Sequence, residues 1–225
     1  MEYEKINADG LYIEEGVKIG RNVKFYGNSY IFGKTEIGDD CVIYPNNFIK
    51  DAHIGDGCVL YPNNFIENST AESGVKIKSS DINGAFIESG AEVGPFSRLR
   101  PNAKVCKNAK VGNFVEIKNA TLGEGSKASH LTYVGDADIG KNCNIGCGAI
   151  FVNYNGKNKN RSLVGDNSFI GSNCNVIAPV TVGDGVYVCA GTTISESVES
   201  GDFVIGRSRQ TVKKGRAGKY LKENK

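Results

Sequence analysis

Residues able to move protons and hold phosphates recur in this 225-residue chain at spacings of 17 or 18. His130 falls 17 residues after Asn113 and 17 before Cys147. Glu116 falls 18 after Arg98 and 17 before Tyr133, and Lys118 falls 18 after Arg100. An imidazole is suited to acid–base work near neutral pH, and a neighbouring carboxylate such as Glu116 is expected to orient it and stabilise its charged form. Arg100 and Lys118, brought together, would form a cradle for a phosphate. Only two histidines occur, His53 and His130. That scarcity argues against a zinc site, which needs several imidazoles or a carboxylate and thiolate cluster, so no metal is expected.

These spacings become contacts only if the chain returns on itself every 17 or 18 residues, and its hydrophobic pattern says that it does. Val164, Ile170, Val176, Val182, Val188 and Ile194 form one series of period six, and Val93, Leu99, Val105, Val111 and Ile117 another. Four residues after each aliphatic sits a small or β-branched side chain, as at Ser97, Ala103, Ala109 and Val115. A period of six fits neither a helix nor long strands. It fits a parallel β-helix of very short strands, three hexads to a turn. Positions one and five then face inward, and positions two, three and six face outward or lie at corners. Residues one turn apart stack at about 4.8 Å, which groups Arg100, Asn113, Glu116, Lys118, His130 and Tyr133 along one edge.

The rest of the chain agrees with a single elongated all-β domain. Residues 37–49, IGDDCVIYPNNFI, repeat at 54–66 as IGDGCVLYPNNFI. That register stacks Tyr44 on Tyr61, Pro45 on Pro62 and Phe48 on Phe65. The 29 glycines suit a fold that bends at every corner. The pattern breaks at about 151–163, VNYNGKNKNRS and its flanks, which are expected to leave the coil as a projecting loop reaching a neighbouring subunit. After Gly201 the hexads fade. We therefore divide the chain into a β-helix at 1–210 and a basic tail at 211–225, with a short helix or a frayed end from Gly215.

Composition excludes several classes of function. A net charge of +2 gives no basis for nucleic-acid or membrane binding. There is no apolar run of about 18 residues, and Met1–Asn7 is polar and unlike a signal peptide. A cytoplasmic location is the expectation. Seven cysteines occur without a CxxC pair. Cys41, Cys58, Cys143 and Cys174 fall at inward fifth positions and are expected to be buried free thiols.

The strings Ser97-Arg98-Leu99-Arg100-Pro101, VGNFVEIKNATLGEGSKASHLTYVGDADIG at 111–140, Asn144-Ile145-Gly146 and Asn153-Tyr154-Asn155-Gly156 carry a resemblance. They are similar to the acetyltransferase half of the bacterial bifunctional N-acetylglucosamine-1-phosphate uridyltransferase/glucosamine-1-phosphate acetyltransferases. The resemblance runs from about Val93 to Gln210 and is looser over 16–92. It implies a left-handed β-helix and a homotrimer with sites between subunits. It also implies direct acetyl transfer from acetyl-CoA to the amine of glucosamine-1-phosphate, with His130 as base and Glu116 in support. Arg100, Lys118, Tyr133, Asn144 and Lys159 would hold the sugar phosphate. Asn153, Tyr154, Ser172, Ala190 and Arg207 would line the acetyl-CoA site, with Cys147 standing where the family usually has Ala. The nucleotidyltransferase domain of the bifunctional members has no counterpart in this sequence, so a stand-alone acetyltransferase is expected. Two alternatives remain: acetylation of another amino sugar or amino-sugar nucleotide, and a non-catalytic trimeric scaffold.

Overall fold

A computed structural model describes residues 3–221. Met1, Glu2 and 222–225, the outermost parts of the expected 1–210 coil and 211–225 tail, lie outside the described residues. Among the described residues, thirty-three short strands wind into a triangular coil with three parallel faces. The first face runs from Tyr3–Ile6 to Phe203–Val204, the second from Tyr12–Ile13 to Thr193–Ile194, and the third from Lys18–Ile19 to Thr181–Val182. It is a left-handed parallel β-helix, against the right-handed preference of ordinary parallel crossovers.

The hexads explain the coil. Every aliphatic of the two series is buried, and so are Ser97, Ala103, Ala109 and Val115 at the fifth position. Truncating such a side chain to Ala costs about 2–5 kcal/mol in a packed core, so the interior is a stiff rod on which outward side chains hold their places. Corners are made at position four by backbone with positive φ, carried by Asn102, Asn108, Asn142, Asn167 and Asn173 or by glycine, as at Gly125 and Gly148. Asn and Gly tolerate this left-handed region best.

Tyr44 stacks on Tyr61 at 5.6 Å and Phe48 on Phe65 at 4.6 Å between ring centroids. Cys41, Cys58, Cys143 and Cys174 are buried free thiols. The projecting segment is narrower than 151–163. Strand Ile150–Val152 keeps the coil register and Ser162–Val164 resumes it, because Phe151 and Val164 still find interior positions. Only 153–161 leaves the coil. Beyond Val204, a single 3-10 turn forms at Ala217–Lys219. Among the described residues, no helix is long and apolar enough to cross a membrane.

Candidate functional site

The corner between the first and second faces carries the expected base. The strand register Asn113↔His130, Ala128↔Ile145, Ile145↔Ile170 and Ile170↔Val188 stacks His130, Cys147, Ser172 and Ala190 in one ridge above Asn113. His130 ends strand Lys127–His130 and projects into solvent. Its backbone carbonyl accepts a hydrogen bond from Thr132 Oγ1 at 2.8 Å. Its Nδ1 lies 2.6 Å from Asn113 Oδ1. With the amide oxygen toward the ring, Nδ1 carries the hydrogen and Nε2 is left as the acceptor, as a general base requires. The expected pairing of Glu116 with His130 is replaced. Glu116 instead accepts from Arg100 Nη1 at 2.9 Å, because the two residues are neighbours on the second face while the imidazole stands at the corner.

Position four of these coils holds Phe96, Phe114 and Leu131, all at φ between 50° and 56° and all more than half exposed. Left-handed backbone in bulky residues is an outlier that persists only where the surroundings enforce it. Phe96 stacks on Phe114 at 5.6 Å, so an apolar ridge borders the His130 column.

On the second face the cations gather. The register stacks Arg100 beside Lys118. Lys118 Nζ donates to both carboxylate oxygens of Asp136, at 3.3 and 3.1 Å. Asp136 is buried and also accepts from Asn119 Nδ2 at 2.5 Å and from the Asn153 amide. Burial alone would raise its pKa, but the hydrogen bonds from Asn119, Asn153 and Lys118 outweigh it and hold the carboxyl below its ordinary range. Tyr133 Oη lies 3.5 Å from Asn153 Nδ2. The Lys159 ammonium is held below the usual lysine range chiefly by Lys118 beside it, and further by Arg100. Arg100, Lys118 and Lys159 of one chain thus converge.

The loop reaches that place through its own wiring. Tyr154 and Lys159 form an antiparallel bridge, Asn160 N donates to Asn153 O at 2.7 Å, and Asn155 Oδ1 caps the amides of Lys157 and Asn158. Arg161 closes the hairpin against the coil. Its Nε donates to Asp138 at 2.6 Å, its Nη2 meets the same carboxylate, and its Nη1 donates to Asn119 O at 2.9 Å. These bonds hold the loop against its own coil, with Lys159 near its own chain's Lys118.

The remaining expected residues divide. Cys147, Ser172 and Ala190 share the ridge, and Arg207 Nη1 donates to Ala190 O at 2.5 Å. Beside the ridge runs a strip without side chains at Gly146 and Gly171. A Cβ on Gly146 would come within 2.5 Å of Gly171 backbone, and one on Gly171 within 2.4 Å of Ala190 N, so glycine is required there. Asn153 and Tyr154 stand apart from that ridge. The Asn153 amide is committed to Asp136, and Tyr154 Oη donates to Gly156 O within the loop at 2.7 Å. Asn144 lies on the first face between Lys127 and Phe169, so one chain does not bring it to Lys118. Sequence reasoning missed Asp136, Asn119 and Arg161. The signal for the first two was present: Asn119, Asp136 and Asn153 are spaced 17 and 17, a polar column that the hexad count passes over as a corner.

Comparison with known proteins gives two family matches, "Bacterial transferase hexapeptide (six repeats)" over residues 161–196 and "Hexapeptide repeat of succinyl-transferase" over 16–49. The chain is 48% identical over 210 residues to the bifunctional protein GlmU of Clostridium novyi (strain NT), and 45% identical over 210 residues to that of Clostridioides difficile (strain 630). Each match covers 93% of this chain and 42% of the relative, so the chain spans less than half the length of those proteins. Among solved structures, Arabidopsis UDP-N-acetylglucosamine acyltransferase aligns at a TM-score of 0.48 with 17% identity, over 87% of this chain and 69% of that one. The six-residue period, the two repeat matches and the identity over nearly the whole chain agree: the chain is a hexapeptide-repeat protein, similar over nearly all its length to the C-terminal portion of the GlmU proteins.

Proposed function

We propose that this chain transfers the acetyl group of acetyl-CoA directly to the amine of glucosamine-1-phosphate. The observation that carries the reading is the gathering of Arg100, Lys118 and Lys159 on the second face, the face that begins at the corner where His130 presents Nε2. Three cations with only Glu116 and Asp136 paired among them suit a dianionic phosphate. The bare strip at Gly146 and Gly171, flanked by Cys147, Ser172 and Ala190, fits a narrow chain such as the pantetheine arm of acetyl-CoA.

In this mechanism Arg100, Lys118 and Lys159 hold the phosphate, and Tyr133 lies beside them against the sugar. His130 Nε2 takes a proton from the acceptor amine as its nitrogen bonds the thioester carbonyl carbon. The C–S bond then breaks, and the proton passes from His130 to the departing CoA thiolate. Asn113 holds the ring in the tautomer this requires. Neither a covalent enzyme intermediate nor a metal takes part.

The proposal includes a homotrimer with sites between subunits, working in the cytoplasm. Two features support the assembly. Asn144 faces a different side of the coil from Lys118, and the exposed Phe96–Phe114–Leu131 ridge borders the site. It also takes 1–210 as the catalytic β-helix and 211–225 as a tail. A second acceptor class has its own support. A groove of about 390 Å³ lined by Phe65, Asp81, Asn83, Arg98, Arg100 and Pro101 continues from Arg100, with room for a larger substituent on the phosphate, as in an amino-sugar nucleotide.

The test is CoA release from acetyl-CoA with glucosamine-1-phosphate, glucosamine-6-phosphate, glucosamine and UDP-glucosamine as acceptors. Turnover is expected with the 1-phosphate and not with free glucosamine. His130→Ala is expected to lower kcat by about 10²–10⁴-fold, the usual contribution of a general base. Near-parental kcat in that variant, or no turnover with any of the four, overturns the reading.

A further inference from the structure

Asp136 lies outside the set of residues expected to touch substrate, yet more of the site passes through it than through any of them. The residue is 6% exposed and sits on left-handed backbone, φ 45°, at the end of strand Tyr133–Gly135. That corner conformation turns the side chain back toward its neighbours. Three donors meet it: Lys118 Nζ on both oxygens, Asn119 Nδ2 on Oδ1 and Asn153 Nδ2 on Oδ2. Lys118 is the central cation of the cluster. Asn153 is the first residue of the projecting loop, and its carbonyl accepts from Asn160 N, which closes the hairpin that carries Lys159. One buried carboxylate therefore fixes a cation of the coil and the root of the loop that supplies another.

We propose that Asp136 is a positioning residue for the acceptor phosphate: it sets the separation of Lys118 and Lys159 by holding both the Lys118 ammonium and the foot of the loop. This rests on the acetyl-acceptor reading of the same site. Chemistry explains why a carboxylate is needed. Both oxygens face N–H donors, so both must be acceptors, and an ionised Asp is acceptor-only. Its carboxyl is held below the ordinary range, which keeps it ionised at neutral pH. An Asn in its place would turn an NH2 group toward Asn119 or Asn153 and push one donor away, leaving a buried amide without its partner.

Two effects of Asp136→Asn oppose each other, and their balance distinguishes positioning from simple charge neutralisation. Removing a negative charge near a phosphate site strengthens attraction for an anion. Releasing the loop foot and Lys118 weakens their joint grip. Because the surrounding donors are hydrogen-bonded to a charged group, the loss of geometry is expected to win, raising KM for glucosamine-1-phosphate about tenfold or more. KM for acetyl-CoA should stay near the parental value.

The experiment compares parent, Asp136→Asn and Asn119→Ala. It measures both KM values, the affinity for inorganic phosphate by calorimetry, and the rate of tryptic cleavage after Lys157 and Lys159. The expected result is a rise in acceptor KM, weaker phosphate binding and faster loop cleavage in Asp136→Asn, with smaller changes of the same sign in Asn119→Ala. If Asp136→Asn does not fold, the milder variant decides. A fall in acceptor KM with tighter phosphate binding would mean that Asp136 is only a counter-charge and would overturn the proposal, as would unchanged KM and unchanged cleavage. Phosphate binding and loop cleavage do not depend on acetyl transfer. If the parent acetylates none of the sugars, the proposed function fails while these two readouts still judge Asp136.

Discussion

Glu116 and Asn113 compete for the role of partner to His130, and truncating each to Ala separates them. In the structure Glu116 accepts from Arg100 at 2.9 Å, with side chains 33% and 40% exposed respectively. An ion pair that open to water is worth about 0.2–1 kcal/mol. Glu116→Ala should therefore loosen Arg100 and change acceptor KM by about one and a half to fivefold, at about 1.4 kcal/mol per factor of ten. Its kcat should stay close to that of the parent. Asn113 Oδ1 lies 2.6 Å from His130 Nδ1. Loss of a neutral hydrogen bond costs about 0.5–1.5 kcal/mol, and here that cost falls on the orientation and tautomer of the base. Asn113→Ala is thus expected to lower kcat by about two- to twelvefold with acceptor KM nearly unchanged. The assay is initial-rate CoA release across acceptor concentrations at saturating acetyl-CoA, with melting temperatures to confirm folding. A kcat loss of about a hundredfold in Glu116→Ala, near the lower end for losing a general base, with Asn113→Ala harmless, would refute this reasoning and return Glu116 to the imidazole.

The loop yields two further predictions. Because Lys159 stands by its own chain's Lys118, mixing Lys159→Ala chains with His130→Ala chains should recover no activity; restored turnover in verified mixed oligomers would show that the loop serves a neighbour. Arg161→Gln should speed tryptic cleavage after Lys157 and Lys159, and it should lower stability in a pH-dependent way. Asp138 is held below its ordinary pKa first by the hydrogen bond from Arg161, against the opposing effect of burial. A depressed carboxylate adds stability that is complete above the unfolded value and lost as pH falls through the folded one. The gap in melting temperature between parent and variant should then be present at neutral pH and close below about pH 4. Both side chains are 40% or more exposed, so the gap should be small, about 1 kcal/mol or less; a gap that widens on acidification would contradict the assignment.

The coil was legible in the chain because a period of six admits one regular solution. Aliphatics at position one and small residues at position five must both be inside, and once they are, residues 17 or 18 apart are neighbours whatever their side chains do. This is why the Arg100–Lys118 stack, the Asn113–His130–Cys147 column and the Tyr44–Tyr61 ladder could be written down from spacing. Even inside, the pattern had a limit. Asn47 and Asn64 occupy inward positions as a buried amide ladder, Asn64 Nδ2 donating to Asn47 Oδ1 at 2.8 Å, which no hydrophobic count foretells. Periodicity places a Cα on a face but does not choose a rotamer, and each outward side chain has several neighbours within reach. The tertiary structure alone gave Glu116 to Arg100 and Asn113 to His130, and turned Asp136 inward through a left-handed corner to meet Lys118, Asn119 and Asn153. The broken hexads announced the loop but not its path, because 153–161 leaves the repeat. Its path is decided by contacts distant in sequence, chiefly Arg161 with Asp138 and Asn153 with Asp136. The site is therefore half periodic and half not: the coil dictates which residues share an edge, and side-chain hydrogen bonds across neighbouring turns decide which of them work together.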